Sequence, residues 1–135
     1  MFADRYQNSA IVGPFNSDGD ATNVVMKAQG AIAIEEVYVV NTTATATHAT
    51  NYITMKLLNL GTDATGTTVI ATASTSQTGG SAIVAHVPFT LSVTAANKVV
   101  NDGEIIAFVR DEATTDAAAL AACTIVISYV QVGAP

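Results

Sequence analysis

Apolar and polar residues alternate along much of this chain with a period of two, the spacing of a strand that buries one of its faces. The clearest case is "AIVAHVPFTLSVT" over 82–94, where Ile83, Ala85, Val87, Phe89, Leu91 and Val93 alternate with Val84, His86, Pro88, Thr90, Ser92 and Thr94. The closing segment "CTIVISYVQV" repeats the pattern. Cys123, Ile125, Ile127 and Tyr129 fall on one side, and Thr124, Val126, Ser128 and Val130 on the other. Strict alternation fixes which face is buried, so Ile83, Val87, Phe89, Leu91, Ile125 and Ile127 are expected core residues. Thr124, Val126, Ser128 and Val130 are expected to point outward, small enough to let another sheet approach closely.

Five more segments read as strands: "TNVVMKA" (22–28), "AIAIEEVYVVN" (31–41), "YITMKLLNL" (52–60), "TTVIATA" (67–73) and "EIIAFVR" (104–110). They are dominated by Val, Ile, Thr, Tyr and Phe, which suit a pleated, half-buried surface. Between them lie the turn residues of "GPFNSDGD", "QG", "NLGTDATG", "QTGG" and "NDG". About eight short strands at intervals of roughly ten residues predict an all-β fold, an antiparallel β-sandwich or barrel rather than βαβ units. The 135 residues form one domain, long enough for a core without disulfides or metals, with an N-terminal arm over about 1–9. The small, polar "NTTATATHATN" (41–51) is expected to be a long exposed loop, and "DEATTDAAALAAC" (111–123) a loop with a helical turn.

Charge changes the picture. Charged residues are 12% of the chain, against roughly a quarter in ordinary domains, and the net charge is −6. The five basic residues, Arg5, Lys27, Lys56, Lys98 and Arg110, are scattered, which argues against binding nucleic acid. No apolar run approaches the ~20 residues of a membrane span, and the start "MFADRYQNSA" shows no secretory pattern. A single cysteine fits synthesis in a reducing cytoplasm. Ala, Thr, Val and Ser stand where a free monomer keeps charge. A surface of this kind predicts coverage by other subunits, and a homotrimer is expected.

The candidate chemistry is thin. In "VVNDGEIIAFVRDE", Asn101, Asp102 and Gly103 form a strong turn pattern, because Gly accepts positive φ and Asn and Asp bond to nearby backbone. Asp18 and Asp20 in "NSDGD" resemble the start of a calcium loop but lack its further acids; a shared site with Asp111 and Asp116 stays open. His48 and His86 have no acid or Cys beside them, and Cys123 alternates with core residues. Without a nucleophile motif, metal-ligand spacing or phosphate loop, neither enzymatic activity nor a cofactor nor a metal is expected. Glu35 and Glu36 stand side by side in an apolar strand, so one must face the apolar side unless a bulge re-aims it. The alternative is a charged contact across a subunit interface.

The C-terminal third, "NDGEIIAFVRDE", an Ala/Thr-rich loop and "ACTIVISYVQVGAP", resembles the end of jelly-roll decoration (cement) proteins of tailed-bacteriophage capsids. Gly103, Glu104, Ile105, Ile106, Phe108, Ile125, Ile127 and Tyr129 carry the match. The resemblance implies a jelly-roll-like sandwich that binds the outside of an assembled head, commonly as a trimer, with the major capsid protein as partner and the virion surface as location. In that setting Phe2 and Tyr6 are the candidate anchors of the N-terminal arm. Trimeric receptor-binding or fibre-tip domains share the pattern and form the alternative. A carbohydrate-binding module would need aromatic platforms, and the chain has no Trp.

Overall fold

A computed structural model describes residues 7–15, 20–113 and 122–132. The described residues form nine strands: β1 (Gln7–Phe15), β2 (Ala21–Lys27), β3 (Ile32–Val40), β4 (Ile53–Asn59), β5 (Thr68–Ser74), β6 (Phe89–Val93), β7 (Val99–Val100), β8 (Ile105–Glu112) and β9 (Cys123–Gln131). One 3₁₀ turn over Ala95–Asn97 leads into β7. All the pairings between these strands are antiparallel.

The strands follow one path, β1-β9-β3-β6-β5-β4-β8-β2, with two-residue β7 paired to β3 beside it. The path folds into two layers, β1-β9-β3-β6 and β2-β8-β4-β5, joined at one corner where β5 and β6 share only the pairs Ala71↔Val93 and Thr72↔Ser92. The chain crosses between layers at nearly every connection, the wrapping of a jelly roll. The expected all-β, jelly-roll-like sandwich is therefore present, and β1 and β2 form its open edges.

Alternation places the core. In β4, Ile53, Met55, Leu57 and Asn59 are buried while Thr54, Lys56 and Leu58 are half-exposed. Ile32, Ile34, Val37 and Val39 of β3 meet Ile125 and Ile127 of β9 in the same interior cluster. Each such side chain stabilises the fold by about 1.5–3 kcal/mol when fully buried. The rings of Phe15 and Phe108 lie 5.7 Å apart between the layers.

Four expectations need correction. The pattern over 82–94 is not one strand, because β6 begins only at Phe89. Ile83 forms an isolated bridge with Thr45, His86 adopts φ 63°, and Val87 N–H closes a turn onto the Val84 carbonyl. Pro88 contributes, since it lacks an N–H and restricts the residue before it. Ile83, Phe89 and Leu91 are buried as expected, but Val87 is 49% exposed. Second, β1 takes up part of the expected arm: Gln7, Asn8 and Ser9 pair with Val130, Tyr129 and Ser128. Third, the 41–51 loop is exposed over most of its length yet buries Asn41 and Thr45. Paired backbone bonds between Thr45 and Ile83 fasten it. Fourth, Ser128 and Val130 point outward from β9 but are only 7% and 6% exposed. β9 lies between β1 and β3, whose residues flank these small side chains. The helical turn expected within 111–123 falls outside the described residues, except that Asp111, Glu112 and Cys123 belong to strands.

Candidate interaction surface

The acidic groups read from the sequence tie the fold together. Asp102 Oδ1 accepts a 2.7 Å bond from Gly30 N–H, and Glu104 Oε1 accepts one from Asn101 N–H at 2.8 Å. With Gly103 at φ 81°, "NDG" is a turn that also clamps the β2–β3 turn. Asp20 Oδ1 accepts a bond from Glu112 N–H at 2.7 Å, joining the start of β2 to the end of β8. Asp18 and Asp116 lie outside the described residues. Among the described residues, no group of three or more His, Cys, Asp or Glu side chains is placed to hold a metal.

His48 and Cys123 are built into the fold. His48 Nδ1 accepts bonds from the backbone N–H groups of Thr50 and Asn51, so it organises its own loop. His86 sits exposed in the turn before β6. Cys123 is fully buried, and burial pushes its thiol up to about 11 although Arg110 nearby opposes the shift. A thiol held neutral is a poor nucleophile. Native protein is therefore expected to resist alkylation near neutral pH, with its one thiol reacting only after denaturant unfolding. Rapid native labelling would contradict this placement. Arg110 itself is 2% exposed, with its guanidinium 5.7 Å from the centre of the Phe15 ring, a cation–π distance.

A surface groove of about 630 Å³ opens where β5 and β6 part. Its lining is hydroxyl-rich, with Thr72, Ser74, Ser81, Thr90 and Ser92. Phe89 lines it too but is 8% exposed and turned to the core, so the groove offers no aromatic platform for a sugar ring.

The remaining sequence candidates converge on the outer face of the first sheet. β3 carries a bulge between Ile34 and Glu36, so Glu35 and Glu36 are both exposed while Ile34 and Val37 are buried. The bulge reading of this pair is correct. Register sets Glu36 beside Ser128, Tyr38 beside Val126 and Val40 beside Thr124. Val126 in turn pairs with Ile11 of β1, completing an apolar row Tyr38–Val126–Ile11. Sequence reasoning misses Ile11, which is 71% exposed, because it stands between a segment that reads as an arm (about 1–9) and one that reads as a turn (13–20). Val24, on the opposite edge strand, is 63% exposed and heads a matching row with Ala107, Leu58 and Val69 on the second sheet. Phe2 and Tyr6 lie outside the described residues.

No family model matches the sequence, and no curated protein matches it. A solved structure of infectious bursal disease virus, Gt strain, aligns over 97% of this chain at 11% identity with a TM-score of 0.27. This chain spans 35% of the length of that one. A likeness at this score supports no functional inference.

Proposed function

We propose that this chain is a non-enzymatic structural protein of a virus, a decoration protein that attaches as a homotrimer to the outside of an assembled bacteriophage head and reinforces it. The observation that carries the proposal is the sandwich's uncovered surface. Its two edge strands hold one charged residue between them, Lys27, and each presents a large apolar side chain to solvent. Large exposed apolar groups on edge strands mark contact with other subunits. The sequence resemblance and the jelly-roll topology fit the same reading, although a fold by itself hosts many functions.

The mechanism needs no bond making. A protein that binds only the assembled shell stabilises it by mass action, by about 2.7 kcal/mol per site at a free concentration a hundred times its Kd. The major capsid protein is the proposed partner. Phe2 and Tyr6 are the proposed anchors, since aromatic side chains dominate interface energetics.

The test adds purified protein to heads lacking it, then measures bound copies and the temperature at which the genome escapes. Wild type is expected to bind and raise that temperature. Deleting residues 1–6 should leave the sandwich folded, since the removed residues precede β1, and weaken attachment. Failure of wild type to bind would sink the decoration reading; equal binding by both forms would remove the arm from it.

A further inference from the structure

We propose that the open seam of the sandwich is closed between copies of this chain, β1 of one copy pairing antiparallel with β2 of the next to form a ring. The inference deepens the homotrimer reading above and rests on it for the number of copies.

Three observations lead there. The first is direction. Every neighbour along the eight-strand path is antiparallel, so β1 and β2, at its two ends, run in opposite senses. A rotation axis along the strands then sets each β1 against the next copy's β2 in the orientation the rest of the sheet already uses. Such a head-to-tail contact closes into a ring when the rotation from copy to copy is a whole fraction of a turn, a third of a turn for the trimer proposed above.

The second is chemistry at the edges. Strand edges are normally guarded by charge, proline or a bulge; β1 has no charge in nine residues and keeps its Pro14 and bulge to its end, leaving Gln7–Val12 regular, and β2 has only Lys27 at its end, with a bulge between Val24 and Met26. Ile11 and Val24 are the two most exposed of the large apolar side chains among the described residues, and they stand on these two strands. Joining the strands makes the Tyr38–Val126–Ile11 row of one copy continuous with the Val24–Ala107–Leu58 row of the next.

The third is charge complementarity, which chooses head-to-tail contact over two β1 edges meeting. The charged residues in the first sheet's strands are Glu35 and Glu36. The outer face of the second carries Lys27 and Lys56 with Asp111. A first sheet beside a second sheet therefore brings both signs of charge onto one continuous face, whereas two first sheets would carry carboxylates alone.

The test is assembly complementation, read by sedimentation equilibrium. Ile11→Asp and Val24→Asp should each reduce self-association about tenfold or more and leave monomers with a wild-type circular dichroism spectrum. Mixed, they should form a one-to-one pair and stop there, because one good junction remains between an intact β1 and an intact β2. If either Asp variant loses its fold, Ile11→Ser and Val24→Ser carry the same test. Monomeric wild type, a Val24 variant that keeps the wild-type mass, or a mixture that forms no pair would overturn the ring. Head binding is scored separately: monomeric wild type that still protects heads sinks the ring alone, and ring-forming wild type that ignores heads sinks the decoration reading alone.

Discussion

Replacing Phe108 with Ala is expected to cost about 3–5 kcal/mol, the range for removing a buried aromatic ring. Phe108 is fully buried in β8, in register with Asn23 on one side and Leu57 on the other. Its ring reaches across the sandwich to Phe15. Truncation removes contacts to both layers at once, and the stiff strands around it cannot collapse into the space. Since a domain holds only about 5–15 kcal/mol in all, the variant should melt roughly 10–20 °C lower. Phe108→Leu, which refills much of the volume, should lose far less. A change of under about 2 °C for the Ala variant would show that the two layers are not held together at this ring.

Gly80→Ala is expected to cost about 2–4 kcal/mol, for a reason unrelated to backbone freedom. A Cβ on Gly80 would overlap the Ser74 carbonyl oxygen and sit 2.5 Å from Ser76 O and 2.7 Å from Ser76 N. These are backbone atoms, which cannot swing aside as a side-chain tip does. The turn must lift, straining or breaking the bonds from Gly80 N to Ser76 O and from Ser81 N to Ser74 O. Each such bond contributes about 1 kcal/mol, and overpacking adds about 1–3. Gly79→Ala is the control. Its Cβ meets nothing within 4 Å, so only the positive φ is penalised, at about 1–2 kcal/mol. Denaturant midpoints for the two variants should separate accordingly; equal midpoints would show that the turn does not approach β5 so closely.

Much of this fold is visible in the residue order because a half-buried strand writes its orientation into every second position. β9 shows it well: Cys123, Ile125 and Ile127 are fully buried, as their alternation demands. The pattern misleads where a local backbone event intervenes. Ile83 and Phe89 keep the parity of one strand, but the turn at His86 lies between them and turns Val87 to solvent. β1 was illegible for the opposite reason. In "QNSAIVGPF" the largest aliphatic residue, Ile11, faces outward, and Gly13 and Pro14 resemble a turn. The candidate surface was half legible. Glu35, Glu36, Thr124 and Val126 could be singled out by their places in the strand patterns, but their gathering on one face depends on strand register across the sheet, and no local sequence feature encodes which strand lies next to which.

The last of the described strands is an inner strand of its sheet: β9 lies between β1 and β3, pairing with both. During synthesis this has a cost in time. Until Cys123–Gln131 leave the ribosome, β1 and β3 have both been made and neither has its shared partner, so their hydrogen-bonding edges and the apolar face of β3 stand open to other nascent chains. Sheets whose pairing spans the whole sequence fold slowly and expose such edges while they wait. A chain stopped short of Cys123 lacks the middle of a layer rather than its rim, which makes the quality of the product depend on translation passing Gln131.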